Sequence, residues 1–238
     1  MITKHLLITP VLFAALLLAG CGSKARIGAL QSESQSVEAG DAESVRVEMS
    51  MGAGDLEVTG GAEMLMEADF TYNVAKLKPE VEYSDGTLVV WQPEAKGLPA
   101  LQGITDYRNE WNLRLSNEVP MDLRVEMGAG TGDLQLAGLS LTGLDINAGA
   151  GEYTVDLSGD WAHDLDVSIE TGATGIIVRL PSDVGARVTV EAGPHTVEAP
   201  GLTKDGEVYT NAAYGVSDVT LQIKIEAGVG QVNLEVKE

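Results

Sequence analysis

The stretch Leu123-Arg124-Val125-Glu126-Met127-Gly128-Ala129-Gly130 (LRVEMGAG) decides how this chain folds. Five residues alternate apolar and charged, and then the side chains nearly vanish. Alternation with period two marks a half-buried strand, with Leu123, Val125 and Met127 turned one way and Arg124 and Glu126 the other. The design returns at Val45–Gly54, Leu144–Gly151, Leu165–Gly175, Ala186–Gly193 and Leu221–Gly230. After the small step a second apolar run follows, as at Leu134–Leu136, Tyr153–Leu157, Ile176–Leu180 and Val232–Val236.

The glycines Gly128, Gly149, Gly172 and Gly193 lie 21, 23 and 21 residues apart. A strand-only repeat of that period predicts an all-β fold, a single-stranded β-helix-like β-solenoid with rungs of 21–23 residues. Rungs stacked at ~4.8 Å bring the glycines into one column at a corner, where a β-carbon would clash. A β-sandwich with strands every ~10 residues is the alternative.

Residues 123–238 are therefore expected to be rungs. Residues 44–122 are expected to be an N-terminal β region with inserted hairpins. Within it, strands are expected at Leu65–Tyr72, Pro79–Tyr83, Leu88–Gln92 and Glu110–Leu115, a hairpin turn at Ser84-Asp85-Gly86 and a loop over Lys96–Asn109. The excursion Gly201–Ser217 reads as a loop or a capping hairpin.

The first 20 residues read differently. Lys4 and His5 precede an apolar run from Leu6 to Leu18, and Leu18-Ala19-Gly20-Cys21 follows. This is the layout of a secretory signal, too short to span a bilayer comfortably. Leu-Ala-Gly-Cys resembles the lipobox of bacterial lipoproteins, which implies lipidation of Cys21 and a membrane anchor. Cys21 is the only cysteine, so a disulfide within the chain and a cysteine-rich metal site are both excluded. Residues 21–43 are polar and read as a flexible tether. Gly22 follows Cys21 in place of an aspartate, which in a two-membrane cell points to the outer membrane.

The chain carries 36 acidic and 15 basic side chains, a net charge of -21. Such a surface repels nucleic acid and anionic lipid headgroups. The hydrophobic fraction of 44% and its regular alternation argue against disorder.

Candidate chemistry is sparse. Gly128–Asp133 (GAGTGD) has the glycines of a phosphate loop, but a strand follows where that chemistry needs a helix. Acids stand at this step in Asp55, Asp133 and Glu152, too few for a calcium-binding nonapeptide array. Two residues before the corner glycines stand Glu126, Asn147, Glu170, Glu191 and Glu226. Stacked in order, they form an acidic column whose carboxylates Glu126, Glu170, Glu191 and Glu226 are a candidate site for weak divalent-cation binding. His163 and His195 sit in different repeats and make a poor zinc pair. Trp91, Trp111 and Trp161 suit either sugar stacking or closure of a solenoid end. No nucleophile–base arrangement and no cofactor motif stands out.

Several further residues carry a resemblance: Gly60-Gly61, Ala68–Tyr72, Pro79–Tyr83, Trp111-Asn112-Leu113, Val119-Pro120, Gly128-Ala129-Gly130, Gly149-Ala150-Gly151 and Leu180-Pro181. As a set, over about Val45 to Val236, they resemble the bacterial toast-rack family, which includes the C-terminal region of LiaF-like proteins and adhesin β-solenoids. The resemblance implies a β-solenoid and a role at the cell envelope, in the LiaF-like case in the response to envelope stress. It carries over no catalytic residues. This chain has a lipid-anchor signal where LiaF-like members have transmembrane helices.

The expected function is that of a lipid-anchored, extracytoplasmic, non-enzymatic protein whose solenoid surface meets an envelope protein or cell-wall glycan. An adhesin-like binder of glycan or divalent cations is the alternative. A carbohydrate-active β-helix enzyme fits less well, because few basic residues are present to hold acidic sugars.

Overall fold

The computed structural model describes residues 27–93, 106–193 and 195–237. The signal segment, Cys21 and most of the expected loop over Lys96–Asn109 lie outside them. In chain order the strands are β1 (Gln31–Val37), β2 (Val45–Gly60), β3 (Met66–Tyr72), β4 (Glu80–Ser84), β5 (Thr87–Trp91), β6 (Asn109–Leu115) and β7 (Met121–Gln135). They continue with β8 (Leu141–Asp156), β9 (Leu165–Pro181), β10 (Gly185–Ala192), β11 (His195–Glu198), β12 (Thr203–Asp205), β13 (Val208–Thr210) and β14 (Thr220–Lys237). A single 3-10 turn, Ala75–Leu77, is the helical element among the described residues.

The sequence pattern of strand, small step, strand becomes one long strand bent at the step. β2, β7, β8, β9 and β14 each run as 15 to 18 residues through the corner without a break. Each is L-shaped: a first limb, a Gly-x-Gly corner (Thr174 replaces the second glycine in β9) and a second limb. Parallel pairing stacks them in the order β2, β7, β8, β9, β14, with β10 and β11 together as a sixth, interrupted rung. Short returns close each coil, such as Leu136–Ser140, where Leu139 N–H bonds to the Leu136 carbonyl. The chain is thus an all-β solenoid.

The core lies between the two limbs. On the first limb Val47, Leu123, Leu144, Val167, Ile223 and Val188 form one buried column, and Met49, Val125, Ile146, Ile169, Ile225 and Val190 the next. On the second limb Val58, Leu134, Val155, Val178 and Leu234 face them. Burying each such side chain stabilises by ~1.5–3 kcal/mol, and like residues stacking on like keep the columns filled.

The corner explains the glycines. A β-carbon on Gly128 would lie 2.3 Å from the carbonyl oxygen of Gly52 in the rung below. A second glycine column, absent from the sequence reading, runs beside it. Gly130 has φ of 132°, and its β-carbon would lie 1.8 Å from the carbonyl oxygen of Gly54.

Four sequence expectations change. The rungs do not stack in chain order: β14 inserts between β9 and β10, so Gly172 meets Gly228 and Gly228 meets Gly193. Only the first two glycine gaps, 21 and 23, are therefore registers between neighbours. Residues 44–122 are not a region apart from the solenoid, because β2 within them is its first rung. The tether expected over residues 21–43 does not extend that far, since β1 pairs antiparallel with β3 from Gln31↔Tyr72 to Val37↔Met66. Its serines and glutamines read as unstructured, yet a sheet edge needs only backbone bonds from them. The excursion Gly201–Ser217 does hold a hairpin, β12–β13, laid against β10.

Candidate interaction surface

Two outward faces alternate with the core along the limbs. The first carries the expected acidic column, in the order Ser50, Glu126, Asn147, Glu170, Glu226, Glu191. Cations are threaded through it. Lys224 reaches Glu226 at 2.5 Å and Glu191 at 3.5 Å, and Arg124 reaches Glu126 at 2.9 Å and Asp145 at 3.8 Å. The hydrogen bond to Glu226 raises the Lys224 pKa, and that to Glu126 raises Arg124. Among the described residues no three acids or histidines converge as a metal would need. Glu126, Glu170, Glu191 and Glu226 therefore share a column but not a ligand sphere.

The second outward face holds a shallow groove of about 620 Å³. Its floor carries Asp55, Glu57, Glu110, Asp133 and Glu152, set on adjacent rungs by the pairings Asp55↔Glu110, Asp55↔Thr131 and Thr131↔Glu152. The Thr131 hydroxyl donates to Asp55 at 2.5 Å, and Arg108 meets Glu110 at 3.0 Å. The sequence reading noted Asp55, Asp133 and Glu152 only as too few for a calcium array. Stacking brings them to one face and adds Glu110 from a strand remote in sequence.

Both ends are closed by polar side chains that the sequence did not single out. At the first rung the corner backbone is capped by Gln92, Tyr107 and Asn109: Gly52 N–H donates to Gln92 Oε1 at 3.1 Å, and Tyr107 Oη and Asn109 Nδ2 donate to the Ala53 carbonyl at 2.9 and 2.5 Å. Burial raises the Tyr107 pKa. At the last rung buried Asn211 accepts from Ala186 N–H at 2.9 Å and donates to the Pro181 and Val184 carbonyls, both at 2.8 Å. Between rungs Arg179 holds Asp156 at 3.3 Å.

The tryptophans close the core. Trp111 is fully buried, edge-on to Phe70 at 5.5 Å, and Trp161 donates its indole N–H to the Leu157 carbonyl at 2.9 Å. Neither offers a face to a sugar, and Trp91 is half-buried on β5.

A stack of parallel L-shaped rungs with two polar outer faces and capped ends defines a β-solenoid of the rack type. The chain belongs to the toast-rack family: residues 26–179 match the domain described as "N-terminal domain of toast_rack, DUF2154". Among solved structures it is similar to "a putative cell adhesion protein" from Clostridium sporogenes, with 31% identity, a TM-score of 0.83 and coverage of 88% of this chain and 100% of that one. It is more remotely similar to "a putative adhesin" from Bacteroides fragilis, with 11% identity, a TM-score of 0.35 and coverage of 87% and 97%. No curated protein matches the chain. No helix among the described residues is long and apolar enough to cross a membrane.

Proposed function

We propose that the chain is an adhesin-like, non-enzymatic protein of the cell envelope, held to a membrane by lipid on Cys21, whose rack presents its outer faces to an envelope protein or cell-wall glycan. The observation that carries this reading is the likeness, over 88% of this chain, to the Clostridium sporogenes protein, which is named "a putative cell adhesion protein". The broad strand faces suit contact over area rather than enclosure of a small substrate. Deleting the gene should reduce cell adhesion, and returning Glu57→Lys with Asp133→Lys should not restore it while leaving the melting temperature unchanged. Adhesion that is unaffected by deletion would refute the proposal. Hydrolysis of glycans by the purified protein would refute its non-enzymatic part.

The LiaF-like resemblance adds a role in envelope stress, tested by growth of the deletion strain under a cell-wall antibiotic. A second reading is adhesin-like binding of glycan, favoured by the groove over Asp55, Glu57, Glu110, Asp133 and Glu152, or of divalent cations. Calorimetry with millimolar calcium tests it, and absence of heat removes the cation.

A further inference from the structure

The amino-terminal edge of the rack has features that the adhesion reading does not use. The described chain begins at Ile27, six residues after Cys21. It is fixed at once: Gly28 N–H donates to the Asn73 carbonyl at 2.7 Å, and β1 starts at Gln31 against Tyr72. Asn73 is itself tied on every side. Its N–H donates to the Arg108 carbonyl at 3.1 Å, its Oδ1 accepts from Arg108 N–H at 2.9 Å, and its Nδ2 donates to the Asp106 carbonyl at 2.5 Å. A chain of six residues reaches at most ~20 Å, so a lipid on Cys21 cannot leave this corner far from a bilayer.

The corner suits that position. Ile27 and Leu30 are large apolar residues exposed to 40% and 61%. Around Asn73 stand Lys76, Lys78 and Arg108, set against Glu33, Glu80, Asp106 and Glu110. Three cations thus stand against four acids, a more even balance than the 15 basic and 36 acidic residues of the whole chain. That balance lowers the repulsion which an anionic headgroup layer exerts on so acidic a chain.

We propose that this corner, Ile27 and Leu30 with Lys76, Lys78 and Arg108, rests on the lipid surface, so that the rack stands with its first rungs at the membrane and its β10–β13 end pointing away. The proposal rests on the lipid-anchor reading above. Lipid on Cys21 brings the corner to the surface, and docking adds apolar and electrostatic contact to that anchor. The orientation follows from strand order: β1 and β10 lie at opposite ends of the stack, eight strand steps or ~40 Å apart.

The test uses the full mature lipoprotein purified from membranes and placed in phosphatidylethanolamine–phosphatidylglycerol vesicles. Leu30→Cys and, separately, Val216→Cys carry an environment-sensitive fluorophore; Val216, 83% exposed near β10, reports on the far end. The expected result is a blue-shifted label at position 30, quenched at least severalfold more by brominated lipid than the label at 216. Lys76→Glu with Lys78→Glu should reduce that quenching at low salt. If the protein floats with the vesicles but both labels stay in water, or 216 is the quenched one, the docked corner is overturned and the anchor stands. If Cys21 carries no acyl mass and the protein does not float, the anchor reading and the docked corner fall together.

Discussion

Replacing Gly130 with alanine probes the corner most directly. The residue sits at φ of 132°, a region L side chains rarely enter, and forcing one there costs ~1–3 kcal/mol. The new carbon would lie 1.8 Å from the Gly54 carbonyl oxygen, which is backbone and cannot swing aside. The rungs β2 and β7 would have to part locally by more than ~1 Å, enough to break about two hydrogen bonds worth ~1 kcal/mol each. The sum is about 4 kcal/mol, or roughly 8–16 °C in melting temperature for a domain of this size. Gly175 is the control: its φ is not positive, and an added carbon meets nothing within 4 Å. Gly175→Ala should be neutral or stabilising by up to ~1 kcal/mol through loss of unfolded-state freedom. Thermal melts followed by far-UV circular dichroism read both. Equal melting temperatures for wild type and Gly130→Ala would refute the stacked corner.

Other outcomes follow from the same contacts. Asn73→Ala should cost ~2–4 kcal/mol, because it removes side-chain bonds at a buried site, and limited proteolysis should then cut ahead of β1. Asp156 is pushed up by burial but brought below its ordinary value by hydrogen bonds from Ser158 and by Arg179. Its depressed folded pKa gives stability that is present above the ordinary carboxylate value and lost as pH falls below it. Asp156→Asn should therefore lower the melting temperature at neutral pH, and the gap should close in acid. Lys224→Ala leaves Glu226 and Glu191 facing each other without their cation, and the resulting drop in melting temperature should shrink with added salt.

Much of the fold was legible because its units are local. Leu123, Val125 and Met127 turn inward as their alternation demands, and Gly128 sits where no β-carbon fits. The second column through Gly130 was equally visible as a letter pattern. Its necessity came only from a carbonyl on another rung. The candidate surface was less legible. Glu126 and Arg124 announce an outward face, but that Lys224 would fall between Glu226 and Glu191 depends on which rungs touch. Glu110 entered the groove from β6, on the far side of a long insertion.

By itself the sequence determined strand type, rung phase and the place of every bend, because alternation and missing side chains act within a few residues. The tertiary structure decided which rung lies beside which. All rungs share the same phase and nearly the same apolar columns, so along its first limb β9 is matched in pattern by β10 as well as by β14. The excursion that ends in β12–β13 gives the chain enough length to return one layer lower, and β14 fills both limbs beside β9, where the interrupted rung β10–β11 would leave part of the second limb uncovered.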